Sequence, residues 1–184
     1  MTRTCGDCQL CCKLLPVREL SKDANTRCQH QKHGKGCGVY GSKAMPMSCK
    51  LWNCRWLLND QTTHLSRPDR AGYVIDVMPD FVTHRNELSG AEIALPVVQV
   101  WIDPARPLAW RQDAYFMAYL EAIAITQGLY ALVRNGSNAA TFVAAPCLND
   151  GEWFFHTSGV AEKTHTPEDF LKVGLSMKVE LADE

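Results

Sequence analysis

Eight of the nine cysteines fall within the first 54 residues: Cys5, Cys8, Cys11, Cys12, Cys28, Cys37, Cys49 and Cys54. No other feature constrains the fold as strongly. Residues 1–48 have neither the 3.6-residue nor the two-residue apolar period that would give a helix or a strand one buried face. Gly34, Gly36, Gly38 and Gly41 are turn material beside these cysteines, where they let the backbone bend toward sulfur. The Gly-rich piece lacks the Lys-Ser/Thr ending of a phosphate loop. A segment that cannot close a core of its own, yet carries this many thiols, is expected to be held together by what the thiols bind.

Which chemistry the thiols serve depends on redox compartment. Four residues precede Cys5, which leaves no room for a secretory leader, and no apolar run approaches the roughly 18–20 residues of a membrane span. The expected location is therefore cytoplasmic, without a membrane partner. Clustered cysteines there read as metal ligands or redox groups rather than structural disulfides. Charge agrees: residues 1–60 hold ten Lys/Arg against four Asp/Glu, and the rest of the chain nine against sixteen. Nearby cations offset an anionic thiolate site. Nucleic acid is a poor partner, because no basic run interleaves with stacking aromatics; partners are otherwise undefined, a protein among them.

A Cys-x2-Cys pair turns two sulfurs onto one metal. Zinc takes four such ligands in a tetrahedron; a cubane takes four cysteines, and a Cys-x2-Cys-x2-Cys run commonly supplies three. Cys5, Cys8 and Cys11 match that run, with the fourth ligand from farther along. Cys12 is the odd member, since adjacent side chains point in different directions: it serves a second metal, bridges, or stays unligated. Eight thiols suffice for two four-coordinate sites, and His30 and His33 stand where they could replace a sulfur. Cys147, alone in an apolar stretch, reads as a small buried hydrophobe.

The pattern Cys5-x2-Cys8-x2-Cys11-Cys12, then Cys28, Cys37-x2-Tyr40 and Pro46-x2-Cys49, resembles the YkgJ-type cysteine-cluster family, described as a Cys-x2-Cys-x2-Cys-Cys zinc- or iron-chelating domain. The resemblance covers residues 5–56 and implies a zinc or iron–sulfur centre, with Cys49 among its ligands. The family carries Arg before the proline where this chain has Met45, so no anion-binding role transfers there. Flagellin lysine N-methylases have a similar cluster, which implies enzymatic relatives; no methyl-donor motif accompanies it here.

Beyond the cysteines the pattern becomes that of an ordinary globular protein; 46% of all residues are hydrophobic, enough for a packed core. A short helix is expected from Ser48, with Cys49, Trp52 and Trp56 at spacings of three and four and the indoles laid on the rest of the protein. A polar loop over 59–71 leads to strands at 72–78 and 95–102, with 81–85 continuing the sheet after Pro79-Asp80. Pro96 belongs at a strand start or on an edge. The longest helix spans 113–127 with Gly128 as its left-handed cap, and is apolar enough to be buried on more than one side. Strands follow at 129–133 and 139–145 about Asn135-Gly136, then a turn at Asp150-Gly151 into 153–156. Thr166-Pro-Glu-Asp169 opens a last short helix. The expected fold class is α+β: a loop-rich cysteine metal module (1–58) packed on a body (59–184) with a small, mainly antiparallel sheet and one main helix.

The function expected is metal binding, through Cys5, Cys8, Cys11, Cys12, Cys28, Cys37, Cys49 and Cys54, with an iron–sulfur cluster or Zn2+ as cofactor. The alternatives are an iron–sulfur redox or group-transfer enzyme and a metal carrier. No nucleophile–base pair, nucleotide loop or His-Glu-x-x-His helix supports an enzyme, and His64, His84, His156 and His165 form no triad. Asp76, Asp80 and Asp103 read as strand-ending carboxylates without a catalytic role.

Overall fold

The longest helix is the element whose ends are written most plainly in the sequence. In the computed structural model, which describes residues 3–85 and 90–159, it runs Ala114–Gln127 (α6, counting helices along the chain). Asp113 caps it by accepting from the amides of Tyr115 and Phe116 at 3.1 and 3.2 Å, and Gly128 ends it at φ 65°. Only glycine takes that left-handed conformation without cost. Phe116, Tyr119, Leu120 and Ile123 are buried on its inner face. Its outer face, with Tyr115, Ala118, Ala122 and Ile125, is exposed among the described residues. The expectation of burial on more than one side is therefore not met among the described residues: an apolar composition without a polar stripe did not place a second layer of them over the helix.

Five strands form one sheet in the order β3-β4-β5-β6-β7: Tyr73–Arg85, Glu92–Ile102, Tyr130–Arg134, Ala139–Ala144 and Phe154–Gly159. All neighbours are antiparallel except β4 and β5, which run parallel because α5 (Ala109–Gln112) and α6 cross over between them. This is the α+β class read from the sequence. β3 is one strand rather than two, since a bulge between Ile75 and Pro79 absorbs the proline that was read as a stop. At Pro96 strand β4 has a neighbour on one side only, because pairing with β5 begins at Val97.

Alternation along the strands divides the core. Tyr73, Ile75, Val98, Val100 and Ile102 face α6 and Trp110, while Val74 and Trp101 face the opposite way, onto Cys8, Leu10 and Leu14. The cysteine-rich segment is thus laid on the sheet face that α6 leaves free. The crevice between Leu120, Val143 and Trp153 is too narrow for a water molecule.

The segment before residue 72 holds more local structure than its sequence shows. It contains α1 (Leu10–Leu14), a two-stranded ribbon of β1 (Gln31–Lys32) and β2 (Gly36–Cys37), α2 (Met47–Leu51), α3 (Arg55–Leu58) and α4 (Pro68–Ala71). The single helix expected from Ser48 is two helices broken at residues 52–54, with Ser48 inside the first rather than capping it. The C-terminal helix expected at Thr166 lies outside the described residues.

Asp113 does two jobs, capping α6 and accepting from the Tyr73 hydroxyl at 2.8 Å. Asp113→Ala is expected to destabilise the protein by about 2 kcal/mol, roughly 1 for the cap and 1 for the buried hydroxyl, read as a lower urea midpoint at unchanged m.

Candidate metal centre

The opening cysteines sit on a turn and a helix start. The Cys8 amide donates to the Cys5 carbonyl at 3.0 Å, and Gly6 between them takes φ 53°. This is the tight Cys-x2-Cys turn that the spacing requires. α1 begins two residues later and carries Cys11 and Cys12. Cys28 is brought back to them by its amide, which donates to the Cys12 carbonyl at 3.1 Å. Cys28 accepts in turn from Gln31, whose pairing with Cys37 in the ribbon fixes that cysteine beside it. A Cβ on Gly36 would lie 2.5 Å from the Gly6 carbonyl oxygen, so glycine there is what lets the ribbon close on the first turn.

Cys49 and Cys54 arrive from the two halves of the broken helix. Glu19 accepts from the Ser48 amide and hydroxyl at 2.9 and 2.6 Å and so binds α2, with Cys49, to the turn at Arg18–Leu20. Cys54 is the N-cap residue of α3. All eight of these cysteines are buried or half-buried, and none is in a disulfide.

The thiols perturb one another. Hydrogen bonding with Cys12 and Cys5, and then burial, raises the Cys11 pKa well above the ordinary thiol value, and hydrogen bonding with Cys11 lowers Cys5 to about 7. Cys12 is lowered, first by Cys11 and more weakly by Lys22. Burial pushes Cys49 and Cys54 up to about 12, and raises Cys8 and Cys37. Against burial, backbone amides pull the other way: Leu10 and Asp69 on Cys8, Val39 on Cys37 and Leu57 on Cys54. Amide dipoles turned toward sulfur favour the thiolate, which is the metal-binding form.

Two cations complete the electrostatics. Lys22 is buried, and its ammonium donates to the carbonyls of Lys13, Leu15 and Asp23 at the end of α1. Among the described residues it makes no ion pair with a carboxylate; burial lowers its pKa and the thiolates of Cys28, Cys12, Cys11 and Cys49 oppose that. Arg67 faces Cys5 while forked onto Asp69 at 2.7 Å and reaching Asp7 at 2.6 Å.

Asp76 fastens this assembly to the sheet. It is buried on β3 and accepts from the indoles of Trp52 at 2.8 Å and Trp101 at 3.4 Å, and from the Met78 amide at 2.9 Å. Its carbonyl accepts from Arg55 at 2.9 Å, and Lys13 on α1 pairs with Asp103 at 2.6 Å. Trp56 donates to the Leu65 carbonyl at 3.0 Å and packs against the core under α6. The indoles therefore lie on the body, as their spacing implied. Asp76 was missed: read as a strand-ending carboxylate, it is the interior acceptor for Trp52, one of the two indoles that the sequence marks as anchors, and for Trp101. A buried strand position for an aspartate opposite unpaired Trp donors was the available signal.

His30 is half-buried and meets Gln29 at 3.4 Å, and His33 is exposed in the ribbon's turn. Cys147 is exposed in a 3-10 turn, Pro146–Leu148, which corrects the reading of a buried thiol: the flanking apolar residues face the core while the turn rotates Cys147 outward. Among the described residues no three His, Cys, Asp or Glu side chains are drawn together as a group ready to hold an ion. The fit to a metal rests on the donor set itself: soft, unbridged thiols in one neighbourhood, facing amides and cations.

Two outcomes test the scaffold. Asp76→Ala leaves two indole N–H groups without their acceptor and is expected to cost about 3 kcal/mol, seen as a lower urea midpoint with shifted Trp emission. The Asp69 carboxyl is held below its ordinary range chiefly by hydrogen bonds from Arg67. A depressed folded pKa stabilises the fold above the carboxylate range and is lost as pH falls through it. Arg67→Met is therefore expected to lower stability modestly near neutral pH and to flatten its fall as pH drops through the carboxylate range, variant and wild type converging in acid, followed by urea unfolding against pH; an unchanged pH dependence would contradict the assignment. Compared with known proteins, the chain matches no protein-family model, no curated protein and no solved structure.

Proposed function

We propose that the chain is a cytoplasmic metal-binding protein, akin to the YkgJ-type cysteine-cluster proteins, whose N-terminal thiols hold zinc or an iron–sulfur cluster. The observation that carries the reading is the set of amides and cations turned toward the sulfurs, above all Lys22, a buried ammonium resting on carbonyls beside four thiols. A buried ammonium without a counter-charge costs several kcal/mol; thiolates held by a metal supply that charge permanently. Bound, the metal would cross-link segments that have little apolar surface of their own, and its binding energy becomes folding energy.

Cys5, Cys8, Cys11, Cys12, Cys28, Cys37, Cys49 and Cys54 are the residues that would hold it. Trp52 and Asp76 keep the last two in place, and Glu19 orients the helix that presents Cys49.

Anaerobic purification followed by metal and sulfide analysis and an absorption spectrum tests the proposal. Stoichiometric sulfide with a broad band near the blue edge identifies a cluster; a colourless protein with bound zinc identifies zinc; neither metal overturns the reading. Chelation or Cys8→Ser is expected to abolish the protease resistance of residues 3–58 and part of the far-UV signal. A metal-free chain that keeps both would sink the structural role of the metal.

A further inference from the structure

Eight thiols in one neighbourhood are compatible with a single site and several spectators, or with two sites. The packing separates them. Cys5, Cys8, Cys11 and Cys54 all belong to the apolar cluster built on Leu10, Leu14, Val74 and Trp101. Cys12, Cys28, Cys37 and Cys49 are absent from that cluster. These four are tied to one another instead: Cys28 to Cys12 through the backbone, Cys37 to Cys28 through Gln31, and Cys49 through Glu19 on the turn that follows α1. The division falls between the adjacent residues Cys11 and Cys12, whose side chains leave the helix about 100° apart.

We propose that the chain holds two separate four-thiolate metal sites, one from Cys5, Cys8, Cys11 and Cys54 against the sheet, the other from Cys12, Cys28, Cys37 and Cys49 on the outer side of α1. This rests on the metal-binding reading above and extends it to the number and membership of the sites. It makes Cys54, not Cys49, the distant fourth ligand to the Cys-x2-Cys-x2-Cys run.

A cation stands near each set: an Arg67 guanidinium nitrogen lies 3.9 Å from where a Cβ on Gly6, beside Cys5, would be, and the Lys22 ammonium rests on the Lys13 carbonyl, one residue from Cys12. A divalent ion that displaces the protons of four thiols releases four protons and leaves a site of net charge −2, which a nearby ammonium or guanidinium offsets. Tetrahedral ligands at about 2.3 Å stand about 3.8 Å apart, so binding would draw each set closer than it stands in the structure, where no three such side chains are gathered among the described residues.

Anaerobic titration of the reduced, metal-free full-length chain with Co2+ tests this, using the thiolate charge-transfer and tetrahedral ligand-field bands. The wild-type chain is expected to bind two equivalents, Cys54→Ser and Cys49→Ser one each, and the double variant none. One equivalent for the wild type, or loss of the same single site in both variants, overturns the two-site division while leaving metal binding intact. No thiolate-bound Co2+ at all overturns the metal-binding reading itself. A measurement on the unmutated chain guards against variants that fail to fold: thiol alkylation during the titration, read by intact mass and peptide mapping. Protection is expected in two blocks of four, with Cys5, Cys8, Cys11 and Cys54 in one. Protection that mixes the sets within a block overturns the division.

Discussion

The structure depends on one buried carboxylate. Asp76 gathers the indoles of Trp52 and Trp101 and an amide of its own strand, so a residue between Cys49 and Cys54 and a residue at the end of β4 share one acceptor. Inside a protein such a group must have its partners or cost a large part of the total stability. Here its partners come from both sides of the junction between the cysteine-rich segment and the sheet. The position of the thiols over Val74 and Trp101 follows from that junction, helped at the edge by Lys13 on Asp103.

Two cations lie near the cysteines. Lys22 has no carboxylate partner among the described residues and lies buried against carbonyls, an arrangement that is unfavourable alone and favourable beside thiolates. Arg67 serves the opposite end, held by Asp69 and Asp7 while it faces Cys5. The excess of Lys and Arg over residues 1–60 thus includes one buried cation, Lys22, and not merely a soluble surface; Arg67 lies beyond it.

Much of the body was legible beforehand because its signals are local. Asp113 and Gly128 mark the ends of α6; Asn135-Gly136 and Asp150-Gly151 mark turns that the structure keeps, with Gly136 at φ 77° and Gly151 at φ 85°. Where the reading failed, a nonlocal contact had overridden a local rule. Pro79 ends strands in general, yet pairing with Val98 carries β3 past it through a bulge. Ser48 is a good cap by residue type, yet Glu19 takes over the role of satisfying the α2 start, and Ser48 moves inside. Cys147 looked buried from its neighbours, and a single 3-10 turn faces it outward.

The sequence alone determined that eight of the nine cysteines crowd into the first 54 residues, that Cys5 and Cys8 lie on a tight turn, and that the chain is α+β with one main helix. Those properties reside in spacing, composition and turn chemistry, which act within a few residues. Only the tertiary structure decided which cysteines keep company: Cys54 packs with the opening run, and Cys28 is tied to Cys12 and, through Gln31, to Cys37. The reason is that thiols far apart in the chain meet through contacts the chain pattern does not encode, here the Glu19–Ser48 bonds, the Gly36–Gly6 approach and the two indoles on Asp76.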